Sequence, residues 1–101
     1  MRMLMHLKFP VEPFNTYARD GSVGQKIQKI LEAIKPEAAY FTEQDGHRGG
    51  TLVVNLTDAS EIPAVAEPFF LTFNAQVELR IAMTPEDLGR ANLDAQAKKW
   101  A

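Results

Sequence analysis

Hydrophobic and polar residues alternate along four stretches of the chain. Residues 1–9, 51–57 and 76–83 alternate, and residues 38–43 are less regular. A period of two is typical of a β-strand, because successive side chains point to opposite faces of a sheet. The pattern therefore predicts four strands, each with one apolar face. That face carries Met3, Met5, Leu7, Phe41, Leu52, Val54, Leu56, Val77, Leu79 and Ile81.

Two helical stretches separate these strands. Apolar residues at helical spacing over 23–34 predict the first helix, and the capping-box spacing of Ser22 and Gln25 predicts where it begins. Residues 10–21 lack a clear stripe and are predicted to be a connecting segment with at most a short helical turn. The second helix is predicted over residues 60–73, before the last strand.

A C-terminal helix is predicted over residues 85–101. Thr84 supplies a cap and Pro85 suits the first helical position, while the two acidic residues that follow favour the positive end of the helix dipole. The element order is then β-α-β-β-α-β plus this helix. We therefore predict one α+β domain over residues 1–101, ferredoxin-like, with an antiparallel sheet in the order 4-1-3-2.

The most polar stretch of the chain, TEQDGHRGG, joins the second and third predicted strands. Asp45-Gly46 is a favoured hairpin dipeptide, and Gly49 with Gly50 is interpreted as a bulge or a flexible return. A phosphate-binding loop would need a helix after the glycines, whereas a strand follows them here. The stretch therefore indicates the turn of a hairpin.

The predicted topology brings this hairpin and the connecting segment to the same end of the sheet. The first and second strands run in the same direction, so their C-terminal ends lie together. A polar rim at that end is a secondary candidate site, and the alternative interpretation is solvated loop charge. The rim residues are Arg19, Asp20, Glu43, His47 and Arg48.

Composition narrows the class of protein. The net charge is −2, without the clustered basic excess of a nucleic-acid-binding domain, and there is no cysteine. The N-terminal apolar run is too short for a signal peptide or a membrane span. Two distant histidines without carboxylates at ligand spacing argue against a metal site. We expect a cytoplasmic protein without a metal or cofactor and without a nucleic-acid or membrane partner.

The opposite face of the predicted sheet is neither a core nor a plain wet surface. It mixes charged, polar and apolar side chains, and half-apolar sheet faces in this fold often pair across a dimer. Its members are Arg2, Leu4, His6, Lys8, Tyr40, Thr42, Val53, Asn55, Glu78, Arg80 and Ala82.

The element order, the chain length and this mixed face resemble the dimeric α/β-barrel superfamily. That superfamily includes muconolactone isomerases, antibiotic-biosynthesis-type monooxygenases, EthD-like proteins and the YCII-like family, and the chain is also similar to small bacterial proteins of this layout. The resemblance covers residues 1 to about 84 and is one of pattern rather than of motif. It implies a homodimer in which two sheets meet face to face and enclose a pocket for a small organic acid or an aromatic ligand.

The strand order places a proton-transfer set in that pocket. His6 is the candidate base, because its imidazole titrates near neutrality, and Arg80 is the candidate partner of a carboxylate or an enolate oxygen. Tyr40, Thr42 and Asn55 are candidate ligand-binding residues from neighbouring strands. Glu78 is a further one, and it can either orient His6 or pair with Arg80.

Three functions follow from these residues. The first is binding of a small organic molecule, with cofactor-free acid–base or monooxygenase-like chemistry. The second is a non-enzymatic dimer, a sensing or assembly module whose polar face is only an interface, with His6 a structural residue and Glu78 and Arg80 linking two copies. The third, RNA binding, needs aromatic side chains on the exposed face of the third strand, and residues 50–57 contain none.

Overall fold

Four strands and five helices make up the fold in the computed structural model, which describes all residues 1–101. The strands are β1 (Arg2–Phe9), β2 (Ala38–Gln44), β3 (His47–Asn55) and β4 (Gln76–Ile81). The helices are α1 (Val11–Asp20), α2 (Val23–Ile34), α3 (Ile62–Phe73), α4 (Pro85–Arg90) and α5 (Leu93–Lys99), with a short 3₁₀ turn over Ala59–Glu61.

The strands form one antiparallel sheet in the order β2-β3-β1-β4, which confirms the predicted order 4-1-3-2. Met5 of β1 lies opposite Leu52 of β3 and Leu79 of β4, so the predicted apolar residues do share one face. The sheet has two free edges, β2 and β4, and is not closed into a barrel within the chain.

The core lies between the apolar face of the sheet and the helices. Phe9 is at its centre, with its ring centroid 5.2 Å from that of Phe73, 5.4 Å from that of Phe14 and 6.3 Å from that of Phe69. The side chains that are almost completely buried come from β1, β3 and α3: Met5, Leu7, Phe9, Leu52, Val54, Phe69 and Phe73. Burial of these groups is the main source of stability.

The connecting segment is a helix, so the prediction of a mostly irregular chain over residues 10–21 is wrong. Phe14 and Tyr17 are three residues apart on α1, and the Tyr17 ring packs against Phe73 at 5.7 Å between centroids. Most of the stability of a short helix comes from tertiary packing of one face. Two aromatic residues at this spacing are therefore enough to stabilise α1, although the apolar stripe of this segment is short.

α2 begins at Val23, as predicted, whereas α3 begins at Ile62, two residues later than predicted, and the side-chain cap belongs to the 3₁₀ turn that precedes it. Ser22 precedes α2 with helical backbone angles and makes no capping hydrogen bond, so the predicted capping box there is wrong. Asp58, in contrast, accepts a hydrogen bond from the backbone N–H of Ser60 at 2.8 Å and forms a capping box with Glu61. The box satisfies backbone donors that the first turn would otherwise leave unpaired.

The Glu61 carboxylate makes the contribution of this cap to stability depend on pH. Its side chain accepts hydrogen bonds from the Thr57 hydroxyl and from the backbone N–H of Thr57 and Asp58, which lowers its pKa below the ordinary value of 4.5. A carboxyl group whose pKa is lower in the folded state contributes stability above its unfolded pKa and loses it as the pH falls through the folded pKa.

We therefore expect Glu61→Gln to reduce stability at neutral pH and to make the loss of stability between about pH 5 and pH 3 less steep. Urea unfolding at several pH values measures both effects. Glu67→Gln is the matched control, because Glu67 is exposed on the same helical segment and makes no hydrogen bond. An acid profile for Glu61→Gln that matches the unmodified protein would contradict the role of this cap.

The hairpin turn is confirmed at Asp45-Gly46, where both residues have positive φ, 52° and 77°. The turn contains only these two residues, so β3 begins at His47, four residues earlier than predicted. Gly49 and Gly50 pair with β1 and β2 in continuous register. Their interpretation as a bulge or flexible return is therefore wrong, and both are buried positions within the sheet.

The predicted C-terminal helix is two short helices. Thr84 caps α4 by accepting a hydrogen bond from the backbone N–H of Asp87 at 3.1 Å, as its position predicted. Asn92 then takes a left-handed conformation with φ of 55°, which separates α4 from α5, and its side chain caps α5. Every residue from 88 to 101 is exposed, and we call these residues the C-terminal arm.

Candidate functional site

The helices leave one face of the sheet uncovered, and we call it the open face. Three rows of its residues cross all four strands, because the register is continuous. The central row is Tyr40, Thr51, His6 and Glu78; the rows beside it are Ala38, Val53, Leu4 and Arg80, and Thr42, Gly49, Lys8 and Gln76. These rows confirm the predicted division of the strands into two faces.

A groove of about 250 Å³ crosses the open face between β1, β4 and the hairpin turn. Both candidate catalytic residues line it, together with one of the candidate ligand-binding residues. Its polar lining is His6, Lys8, Gln44, Asp45, Gln76, Glu78 and Arg80. The structure therefore brings His6, Glu78 and Arg80 together, as the strand order predicted.

His6 is held by Thr51 rather than by Glu78. The imidazole Nδ1 lies 3.0 Å from the Thr51 hydroxyl oxygen, whereas Nε2 makes no hydrogen bond within the chain. The Thr51 hydroxyl can accept a hydrogen bond from a protonated Nδ1 or donate one to an unprotonated Nδ1, and in the first tautomer the lone pair of Nε2 is free to accept a proton. His6 is half-buried in the middle of β1, so its ring position is fixed by the strand.

The charged groups of the groove form two ion pairs, one exposed on both sides and one between a half-buried lysine and an exposed aspartate. Arg80 donates to the Glu78 carboxylate at 3.1 Å, and the Lys8 ammonium lies 3.6 Å from the Asp45 carboxylate. Of the two predicted roles for Glu78, the structure thus shows the pairing with Arg80. An exposed pair such as Glu78–Arg80 is worth at most about 1 kcal/mol. An anionic ligand can therefore replace Glu78 at little cost.

Asn55 lies outside the groove. It accepts a hydrogen bond from the N-terminal ammonium of Met1 at 3.0 Å and donates to Glu37 at 3.1 Å, at the opposite end of β3. Glu37 also binds the Arg2 guanidinium at 2.9 Å, and this hydrogen bond lowers the Glu37 pKa. Asn55 therefore joins the chain terminus to β3.

Tyr40 and Thr42 lie on the open face but at its far edge. Tyr40 shares the row of His6 with one strand between them, so the two backbones are about 10 Å apart. Thr42 belongs to the neighbouring row. Tyr40 is 69% exposed, and neither side chain lines the groove of this chain.

The rim residues have separate local partners. Arg48 donates to Asn15 at 2.7 Å and lies 4.4 Å above the ring of Phe14, which confirms that the hairpin and residues 10–21 meet. The other four interact within their own segments. Glu43 accepts from the Gly46 N–H, His47 contacts the Asp45 carbonyl, Arg19 pairs with Glu12, and Asp20 accepts from the Ser22 N–H.

Thr51, Lys8 and Asp45 were missing from the predicted site. Thr51 and Lys8 lie on the same face of the sheet as His6, and the register of β1 against β3 places Thr51 opposite His6. The turn joins β2 to β3 and does not set that register, so no local signal in the sequence would have found Thr51. No three His, Cys, Asp or Glu side chains are grouped to hold a metal ion. The longest helices have 12 residues, and no helix is long and apolar enough for a membrane span.

Fold and groove together define a ferredoxin-like α+β domain with a polar groove on an uncovered sheet face. No protein-family model matches the chain, and no curated protein matches it in sequence. Among solved structures, it is similar to the de novo designed protein Ferredog-Diesel, with a TM-score of 0.46 and 7% identity. The match covers 80% of this chain and 85% of the designed one.

Proposed function

We propose that the groove binds a small organic acid, and that two copies of the chain pair their open faces around it. The observation that carries this proposal is the convergence of His6, Lys8 and Arg80 on one groove of about 250 Å³. Lys8 and Arg80 are each paired within the chain with only one exposed carboxylate, that of Asp45 and that of Glu78. The guanidinium of Arg80 suits a carboxylate because it can donate two parallel hydrogen bonds.

The apolar part of the open face supports pairing. Leu4 and Val53 lie opposite one another in the row beside His6, and both are only half-buried in a single chain. A second sheet laid over this face would remove them from water and would also close the groove. The resemblance to the dimeric α/β-barrel superfamily supports the same arrangement.

A closed groove of this composition suits proton transfer without a cofactor. His6 Nε2 would take a proton from the carbon next to a carbonyl, and Arg80 would stabilise the enolate oxygen that forms. Return of the same proton from His6 to another carbon of the enolate completes an isomerisation with no net gain or loss of atoms. Exclusion of water by the second sheet would strengthen both interactions.

The alternative is a non-enzymatic dimer, and the Glu78–Arg80 pair favours it specifically. In two facing sheets, these residues could exchange partners between copies and serve only to align them. Ligand binding distinguishes the two functions. If Glu78 and Arg80 pair across the interface, Arg80 is not free to bind an added acid.

The test is an NMR titration of the His6 ring with benzoate and with malonate. We expect the His6 signals to shift, whereas those of His47 stay unchanged, since His47 lies outside the groove. Arg80→Ala should weaken binding about 10- to 100-fold, because a hydrogen bond to a charged group is worth about 1.5–3 kcal/mol. Arg19→Ala is the matched control and should bind as the unmodified protein does. No His6 shift with either acid, or equal affinity in both variants, would contradict the proposal.

A further inference from the structure

We infer that the C-terminal arm, residues 88–101, docks on the body of a second copy of this chain. The arm carries large apolar side chains that are mostly exposed: Leu93 is 58% exposed, and Trp100 is 78% exposed, with only the Lys99 ammonium over its ring at 5.6 Å from the centroid. Leu93 and Ala97 lie on one side of α5, and Trp100, the residue that ends the helix, continues the same spacing of i, i+4 and i+7. This spacing is typical of a helix that packs on an apolar surface.

The arm has defined local structure without a packing partner. Asn92 caps α5, with its side chain accepting from the backbone N–H of Ala95 at 3.3 Å, and Asp87 closes the capping box of α4. Caps alone do not stabilise a helix of seven residues, because isolated helices shorter than about 12–15 residues are marginal in water. A surface that receives α5 would supply the missing stabilisation.

The dimensions of the chain show how much surface is available. The exposed area is 6937 Å², whereas about 5,700 Å² is expected for a folded monomer of 11.3 kDa. The radius of gyration is 17.0 Å, against about 12.7 Å expected for 101 residues. The excess area is therefore about 1,200 Å², which exceeds the roughly 800 Å² that each partner buries in a stable interface.

Charge indicates that the receiving surface is another copy. Residues 88–101 contain Arg90, Lys98 and Lys99 against one acid, Asp94, so the arm has a charge of +2. The whole chain has −2, and the body, residues 1–87, therefore has −4. Opposite charge steers two surfaces together. The chain measures 60 × 28 × 19 Å, so the arm extends away from its own body and is placed to reach a second one.

A two-fold exchange of arms makes the contact reciprocal. In such a dimer each body receives one arm and each arm is received once, so no docking surface stays open. This inference shares with the proposed function only the second copy. It does not require a ligand, and the groove can bind an acid whether or not the arm is exchanged.

Two variants with the same added charge test the arm. Leu93→Glu places a carboxylate on the apolar stripe, and Ala95→Glu places one on the opposite side of α5. The dissociation constant of the dimer is measured by light scattering over a range of concentrations. We expect Leu93→Glu to raise it at least about tenfold and Ala95→Glu to leave it unchanged. The emission of Trp100, the single tryptophan, should shift to shorter wavelength as the unmodified dimer forms.

Each contrary result has a distinct meaning. A dimer that both variants leave equally tight would overturn arm docking and leave the paired sheets intact. A monomer at all concentrations would overturn arm docking and the pairing of copies, while the His6 titration would still decide ligand binding. Blue-shifted Trp100 emission in a monomer would show that the arm folds onto its own body, which also overturns the inference.

Discussion

Replacing Phe9 with alanine should lower the free energy of unfolding by about 3–5 kcal/mol. The Phe9 ring is 2% exposed and contacts three other aromatic rings, from α1 and from α3. Its removal therefore leaves a cavity at the point where the sheet meets both helices. Neighbouring rings can fill such a cavity only in part, because their own positions are fixed by packing. Urea unfolding followed by circular dichroism measures the change.

Phe70→Ala is the control for this substitution. Phe70 lies on α3 next to the buried Phe69, but its side chain is 40% exposed. The same atoms are removed without a closed cavity, so the loss should stay within about 1 kcal/mol. Equal losses for the two variants would contradict the assignment of Phe9 to the centre of the core.

Gly49→Ala should lower the free energy of unfolding by about 1–3 kcal/mol. A Cβ atom at this position would lie 2.6 Å from the carbonyl oxygen of Leu7 and 2.8 Å from the Cβ of Gln44. Neither atom can move without shifting a strand of the sheet. The substitution therefore strains the contact of β3 with β1 and β2 at the end of the groove. Thermal and urea unfolding both report this loss.

Gly24→Ala is the matched control, and its effect should have the opposite sign. Nothing lies within 4 Å of a Cβ atom at Gly24, which is in the first turns of α2. Alanine is preferred to glycine in a helix, so stability should rise by up to about 1 kcal/mol. Equal free energies of unfolding for Gly49→Ala and Gly24→Ala would contradict the close strand contacts at Gly49.

Strand parity was the most informative signal in the sequence. It assigned the core face of β1 and β3 residue by residue, because a strand that covers a core on one side must alternate. In β4 it identified Val77 and Leu79, which pack against the core, whereas Ile81, of the same parity, is 65% exposed. Thr84 and Pro85 located the beginning of α4 for an equally local reason. These features depend only on neighbours in the chain.

The errors occurred where distant contacts decide the conformation. α1 forms because Phe14 and Tyr17 pack on Phe73 of α3, which is more than 50 residues away in sequence. Gly49 and Gly50 look like loop residues, whereas the structure uses them where strands approach closely. The left-handed Asn92 divides the C-terminal segment, although a single residue of this type gives no strong signal in advance.

The candidate site was predictable in part for the same reason. His6, Glu78 and Arg80 meet because parity and strand order alone place them on adjacent strands of one face. Asn55 satisfies the same parity, but it is four residues from Thr51 and binds the N-terminus instead. The position of Asn55 along β3 can be predicted only when the register of the strands is known. The same is true of Thr51 as the partner of His6.

Intermolecular nuclear Overhauser effects give the most direct test of the central claim that two copies pair their open faces. The sample mixes isotope-labelled and unlabelled chains, and the observed groups are the methyls of Leu4 and Val53. Face pairing predicts contacts from these methyls to protons of the other copy. A dimer in which such contacts are absent from Leu4 and Val53, or are confined to residues 88–101, would contradict it.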